Sequence, residues 1–172
     1  MKNDFVKPIL VLTLICLIIS GALAFTNSVT EPVISKAAKE REENARNEMI
    51  PDADGFELVP IDGLPPTIRE VYVSINNVGY IFMISISGYG GDMRIICAID
   101  PGGRLIASSA VEHNETKGIG ARVAESAFSD QFGGKDERLD GVEAITGATI
   151  SSNAYINAIR DAFAAFEILT AK

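Results

Sequence analysis

The chain has 172 residues, enough for one ordinary domain and a short additional segment. Its formal net charge is −8, which argues against a protein that binds nucleic acid through a positively charged face. The sequence has two cysteines and one histidine, with no CxxC pair and no His/Cys cluster. It therefore gives no support to a zinc, haem or iron–sulfur site or to a disulfide framework, and we assign no metal-ligating or catalytic residues.

Residues 8–25 form an uncharged apolar run, PILVLTLICLIISGALAF. At about 1.5 Å per residue in a helix, this run is just long enough to cross a hydrocarbon core of about 30 Å. A cleaved signal peptide ending at Ala22-Leu23-Ala24 is the alternative, but the run exceeds the usual signal core of about 7–15 residues. We therefore predict a single-pass anchor over residues 8–26. Lys2 and Lys7 favour a cytoplasmic N-terminus of residues 1–7 and an extracytoplasmic domain.

Residues 27–66 are predicted to form a stalk and a linker. Val33 to Met49 is rich in Ala, Glu, Lys and Arg, which is typical of a solvated helix. Thr30 is the predicted cap of this helix, and Pro32 suits its first turn. The stretch from Pro51 to Thr67 carries many Pro, Gly and Asp residues and is predicted to be loop.

Residues 67–172 are predicted to form one α+β domain, an antiparallel sheet with helices packed on it. Apolar runs separated by the turns Asn76-Asn77 and Asp100-Pro101-Gly102-Gly103 indicate strands that follow one another directly. The predicted strands are Val71–Ile75, Tyr80–Ile86, Met93–Ile99 and Arg104–Val111. The period then changes to a helical one, which predicts a short helix over Ala121–Phe132 and a long one over Ser151–Leu169.

The segment Asp140–Ser152, DGVEAITGATISS, places four hydroxyl side chains just before the long helix. Ser151 or Ser152 is the predicted cap of this helix. The free N–H groups and partial positive charge of a helix N-terminus suit a phosphate group. From the residues alone, an ordinary capped helix start and a phosphate site both remain open.

The same segment resembles the flavinylation motif of the FMN-binding domain family, an acidic residue, two variable residues, and Ser or Thr before Gly-Ala-Thr. This family includes the G subunit of the Rnf-type ion-translocating ferredoxin:NAD oxidoreductase and the C subunit of the Na⁺-translocating NADH:quinone oxidoreductase. The resemblance implies that Thr149 carries FMN covalently, as an ester of the flavin phosphate. Glu143 stands at the acidic position, where the family usually has Asp.

Two further loops resemble the family in the same chain order, Gly88–Gly91 and His113–Gly120, the latter with Lys117 and Ile119 where the family usually has Pro and Leu. From the residues alone, these loops could be a plain β-turn and a mobile connection. The resemblance implies that both lie near the flavin. The implied cofactor-binding residues are Thr149, Thr146, Gly147, Ala148, Ser151, Glu143, Glu115, Thr116, Gly118, Gly120, Tyr89 and Gly90.

The resemblance implies an electron-carrier subunit of an ion-translocating membrane complex, not catalytic alone, matured by a flavin transferase that uses FAD and Mg²⁺. Its partners would be other redox subunits in the cell (inner) membrane. The short chain favours the Rnf-type complex over the quinone reductase. Two alternatives remain open, a stand-alone extracytoplasmic flavin reductase and a non-redox anchored interaction module.

Overall fold

The computed structural model describes residues 3–171, so Lys2 of the predicted cytoplasmic segment lies outside the described part. The chain divides into two compact units, one that ends at Arg41 and one that begins at Glu42. Helix α1 spans Asn3–Met49 and contains Pro8 and Pro32. The predicted helix start at Thr30 is therefore wrong, and the Thr30 hydroxyl instead donates to the Thr26 carbonyl one turn earlier (2.8 Å).

The first unit consists of the N-terminal part of α1, whose apolar side chains face outward. Ile9, Leu12 and Leu17 are each more than 60% exposed. By length and composition, α1 is the one helix within residues 3–171 that could cross a membrane. Outward-facing apolar side chains are what a membrane span requires, because lipid replaces the protein core as their environment.

The second unit is built on a five-stranded antiparallel sheet with strand order β1-β2-β3-β4-β5, so every connection is a hairpin or a short loop. The strands are β1 (Phe56–Leu58), β2 (Ile68–Ser74), β3 (Tyr80–Ser87), β4 (Asp92–Ile99) and β5 (Leu105–His113). The four predicted strands and the α+β class are confirmed. Strand β1 lies in the predicted loop, and it pairs with β2 along the edge of the sheet, with Phe56 opposite Ser74.

The central strands β3 and β4 are buried on both faces. On one face, Phe82 and Ile95 belong to the main core, which the long helix α3 (Thr149–Thr170) covers. Tyr155 of α3 reaches across this core and donates a hydrogen bond to Ser108 of β5 (3.0 Å). Burial raises the pKa of the Tyr155 phenol above its ordinary value. The hydrogen bond to Ser108 satisfies the buried hydroxyl of Tyr155, and a buried hydroxyl without a partner would cost free energy.

The predicted helix over Ala121–Phe132 is wrong as a single element. The structure has a 3₁₀ turn at Gly120–Ala124, helix α2 (Ser126–Ser129) and a second 3₁₀ turn at Asp130–Phe132. Val123, Phe128 and Phe132 are all buried in the main core. In a regular helix, residues five apart point about 140° apart, so Val123 and Phe128 cannot share one face. The extended backbone of Glu125 (ψ 145°) breaks the helix and lets both side chains reach the core.

The other face of the sheet is covered by the last turns of α1 and the residues that follow. Ile50 is buried with Ile81 and Ile96, and Met49 packs against them. Arg46 stacks over the ring of Tyr72, 4.4 Å from its centroid. Partial burial, with the hydrogen bond to Glu70, raises the pKa of Tyr72 to about 12. The prediction of a wholly solvated stalk is therefore wrong for its C-terminal turns, which close a second core.

We predict that Ile96→Ala lowers the free energy of unfolding by about 2–5 kcal/mol, because Ile96 is fully buried in this second core and its loss leaves a cavity. Ile75→Ala is the matched control, since Ile75 is 65% exposed, and it should change stability by at most about 0.5 kcal/mol. Denaturant unfolding of the detergent-solubilised chain, followed by tyrosine circular dichroism, measures both values. Equal effects of the two substitutions would contradict the second core.

Candidate functional site

A cavity of about 470 Å³ lies within the second unit, at one end of the sheet. Three segments form its walls: the turn between β3 and β4, the loop after β5, and the N-terminus of α3. Its size is within the range of small-molecule and cofactor sites. The lining residues are Tyr89, Glu115, Thr116, Ile119, Gly120, Gly147, Ala148, Thr149, Ile150 and Ser151.

Helix α3 begins at Thr149, and its N-cap residue Ala148 offers no side-chain cap. The predicted capping by Ser151 or Ser152 is therefore wrong. The Ser152 hydroxyl instead accepts a hydrogen bond from the N–H of Ile145 (3.0 Å), which ties the preceding loop to the first turn of the helix. Gly147 has φ +85°, a left-handed conformation that favours glycine. This turn leaves Thr149 exposed at the cavity wall.

The loop before α3 is also fixed from the other side by Gln131. The side-chain carbonyl of Gln131 accepts from the Glu143 N–H (3.0 Å), and its amide donates to the Glu143 carbonyl (3.5 Å). Lys135 donates to the Asp140 carbonyl (2.7 Å). The backbone of this segment is thus held at several points, while the side chain of Glu143 stays exposed and outside the cavity lining.

Glu115, in the loop after β5, is buried against the turn between β3 and β4, although it has an acidic side chain (7% exposed). Its Oε1 accepts a hydrogen bond from the Gly90 N–H (3.3 Å), whereas its Oε2 is buried with no partner. A Cβ on Gly88 or Gly120 would collide with this carboxylate, and a Cβ on Gly90 would collide with the Asn114 carbonyl. Glycine at these positions therefore lets the two loops close on Glu115.

The structure brings together eight of the residues implied by the resemblance. Tyr89, Glu115, Thr116, Gly120, Gly147, Ala148, Thr149 and Ser151 line the cavity. Four do not line it, namely Thr146, Glu143, Gly118 and Gly90. Ile119 and Ile150 line it and were not predicted; both are apolar yet more than half exposed. In the sequence, each is an apolar residue beside glycines or hydroxyl side chains. That pattern does not distinguish a cavity wall from a core position, because it is also common in protein cores.

The residues present fit FMN. The first N–H groups of α3 and the Thr149 hydroxyl suit the phosphate end of the molecule. Ile119, Ile150 and Tyr89 supply apolar wall for a flat ring system, and the orphaned Oε2 of Glu115 supplies an acceptor for an N–H or O–H donor. A phosphate-friendly end, apolar walls and a few polar groups are the usual composition of a cofactor site.

We predict that Gly90→Ala destabilises the domain by about 1–3 kcal/mol, because the added Cβ must push the hairpin turn away from the Asn114 backbone. Gly133→Ala is the control, since its Cβ would meet nothing nearer than 3.7 Å. Thermal unfolding of the two variants measures the difference. If Gly90→Ala unfolds like the control, the two loops do not pack as closely as described.

Comparison with known proteins places the same residues in a known family. Residues 88–164 match the family model described as FMN-binding domain, and this range contains the entire cavity lining. The chain is 30% identical to the G subunit of the Na(+)-translocating ferredoxin:NAD(+) oxidoreductase complex of Acetobacterium woodii, over 94% of this chain and 91% of that protein.

Two further relatives are similar to this chain over most of their length. The G subunit of the proton-translocating ferredoxin:NAD(+) oxidoreductase complex of Clostridium ljungdahlii is 29% identical, over 88% of this chain and 85% of its own length. The G subunit of the ion-translocating oxidoreductase complex of Methanosarcina acetivorans is 29% identical, over 94% of each chain. With a shared FMN-binding domain and similarity along nearly the whole chain, this protein belongs to the family formed by the G subunits of Rnf-type ion-translocating oxidoreductases.

Proposed function

We propose that this chain is the membrane-anchored flavin carrier of an ion-translocating ferredoxin:NAD oxidoreductase complex, with FMN attached to Thr149. One observation carries the proposal: the exposed Thr149 at the start of α3 lines the same cavity as the two other loops. The relatives named as components of such complexes match over 94% of this chain. That extent favours a component of a complex over a stand-alone flavin reductase.

Each wall of the cavity has a distinct role in this proposal. The backbone N–H groups of the first turn of α3 bind the flavin phosphate, and the positive end of the helix dipole favours its charge. Ile119 and Ile150 exclude water from the bound ring, while Thr116 and Glu115 offer hydrogen-bonding groups to its polar atoms. When bound, FMN would supply the reversible one- and two-electron transfer that a redox carrier requires.

The covalent bond would form at the Thr149 hydroxyl in a separate transferase. The Thr149 oxygen attacks the FMN phosphorus of FAD, a P–O bond to threonine forms, and the anhydride bond to AMP breaks. The hydroxyl proton passes to a base of the transferase, and Mg²⁺ there stabilises the leaving phosphate. The exposure of Thr149 gives the transferase access, and the fixed loop before it presents Glu143 on the surface.

The anchor and its flanking charges support the proposed topology. Lys2 and Lys7 precede the apolar run, which favours a cytoplasmic N-terminus and an extracytoplasmic flavin domain in the cell (inner) membrane. Residues 8–25 carry no charge, so this span offers no ion path, and coupled ion movement belongs to other subunits. A covalent bond suits this placement, because an exported domain cannot recover lost FMN from the cytoplasm.

We predict that Thr149→Ala abolishes covalent flavin. The chain is expressed with an active flavin transferase and denatured in SDS, and the gel is examined under ultraviolet light. The unsubstituted chain should give a fluorescent band, and Thr149→Ala should give none. Thr116→Ala is the matched control, because it removes another hydroxyl from the same cavity and should keep the band. A fluorescent Thr149→Ala band would place the flavin elsewhere.

The topology gives a separate expectation for reporters fused after Lys172. A periplasmic-type reporter such as alkaline phosphatase should be active there, and a reporter that requires the cytoplasm should be inactive, since the domain is exported. Replacing Lys2 and Lys7 with Glu should reduce or invert this preference. The reverse activities in the unsubstituted chain would overturn the proposed orientation.

A further inference from the structure

We propose that Tyr89 is the aromatic platform on which the ring system of the flavin stacks, and that Glu115 is the positioning residue that holds Tyr89 there. This inference rests on the proposed function and deepens it, because it assigns a contact for the ring rather than for the phosphate. It begins from the placement of one exposed aromatic side chain.

Tyr89 lies in the turn between β3 and β4 and is 72% exposed, although it is a large aromatic residue. Of the four tyrosines of the chain, all of them in the described part, Tyr89 is the one that lines the cavity. An exposed aromatic ring beside a cavity is typical of a ligand-binding surface, since stacking buries its area only when the ligand is bound.

The turn that carries Tyr89 is fixed on both sides. The Ser87 hydroxyl donates to Asp92 across the turn (2.7 Å), and the Gly88 N–H donates to the Gly91 carbonyl (2.8 Å). Gly90 donates to the buried carboxylate of Glu115 (3.3 Å). Since Tyr89 lies between two glycines that pack against the segment Asn114–Glu115, its backbone has a defined position at the cavity wall.

The other cavity walls match a flat ligand. Ile119 (56% exposed) and Ile150 (59% exposed) are the remaining large apolar side chains of the lining. Ile150 follows Thr149 directly, so apolar surface begins next to the proposed phosphate ester. A fused ring system has apolar faces and polar edges, so it requires apolar walls for the faces and hydrogen-bonding groups such as Glu115 for an edge.

Stacking on tyrosine has an optical signature. A phenol in contact with an excited flavin donates an electron to it and quenches its emission, whereas a phenylalanine ring stacks in the same way but is too weak a donor. The chain has no tryptophan, so no indole can act as an alternative quencher. Tyr89→Phe therefore separates the electronic effect of Tyr89 from its packing.

The experiment uses the flavinylated full chain in detergent. For each sample, flavin emission is measured in the native state and again after SDS denaturation, and the ratio of the two corrects for the extent of flavinylation. Tyr89→Phe should raise this ratio several-fold, with an unchanged flavin absorption spectrum. Tyr80→Phe is the matched control and should leave the ratio unchanged, because Tyr80 packs against Phe166 (5.4 Å between ring centroids) and does not line the cavity.

Two further variants test the platform and its support. Tyr89→Leu should raise the emission ratio and lower the emission anisotropy, because the ring then loses its stacking partner and gains mobility. Glu115→Ala should give the same two changes with Tyr89 intact, whereas Glu115→Gln, which keeps an acceptor for Gly90, should preserve the quenching. A wild-type ratio in Tyr89→Phe would overturn the inference while leaving covalent FMN standing. A lack of flavin in the unsubstituted chain would overturn the proposed function and this inference together.

Discussion

The burial of one carboxylate, that of Glu115, is the contact on which the geometry of the site depends. Glu115 belongs to the loop after β5 and packs against the turn after β3, and glycines in both segments permit that approach. Burial of an acidic side chain with an unpartnered oxygen costs free energy, so this arrangement is not favoured by stability alone. The cost is consistent with a site organised for a ligand that supplies the missing hydrogen bond.

The fold explains why three distant segments meet at one end of the sheet. In an antiparallel meander, every second turn lies at the same end, so the β3–β4 turn and the end of β5 are neighbours. Helix α3 packs on the main core. Its first turn lies at the same end of the sheet, where Thr149 lines the same cavity as Tyr89. The fold therefore places the N-terminus of α3, the glycine-rich β3–β4 turn and the buried Glu115 around one cavity.

The proposed cofactor site offers polar groups for the phosphate and apolar surface for the ring. The helix start offers backbone N–H groups and a hydroxyl, which suit a charged phosphate and a covalent bond. Ile150 of the same helix turn, with Tyr89 and Ile119 of the other two segments, offers apolar surface that suits a flat ring. In the proposed function, attachment through the phosphate would keep the reactive ring at a protein surface that is partly open, and electron transfer to another protein requires such access.

The sequence by itself determined the elements whose residues act locally: the apolar N-terminal helix, the four main strands and the long helix α3. Periodicity and turn residues set these, and they depend only on near neighbours along the chain. The motif order also predicted which loops meet, because the family resemblance carried information that the residues alone did not.

Only the tertiary structure decided the features that depend on burial. The last turns of α1 are polar enough to predict solvent exposure, yet they close a second core against β3 and β4. The helix predicted over Ala121–Phe132 breaks at Glu125 because Val123 and Phe128 must both reach the core. Ser152 binds the Ile145 N–H rather than capping α3, and Ile119 and Ile150 line the cavity while Thr146 and Gly118 do not. Each of these outcomes depends on contacts between residues far apart in sequence, which local propensity does not contain.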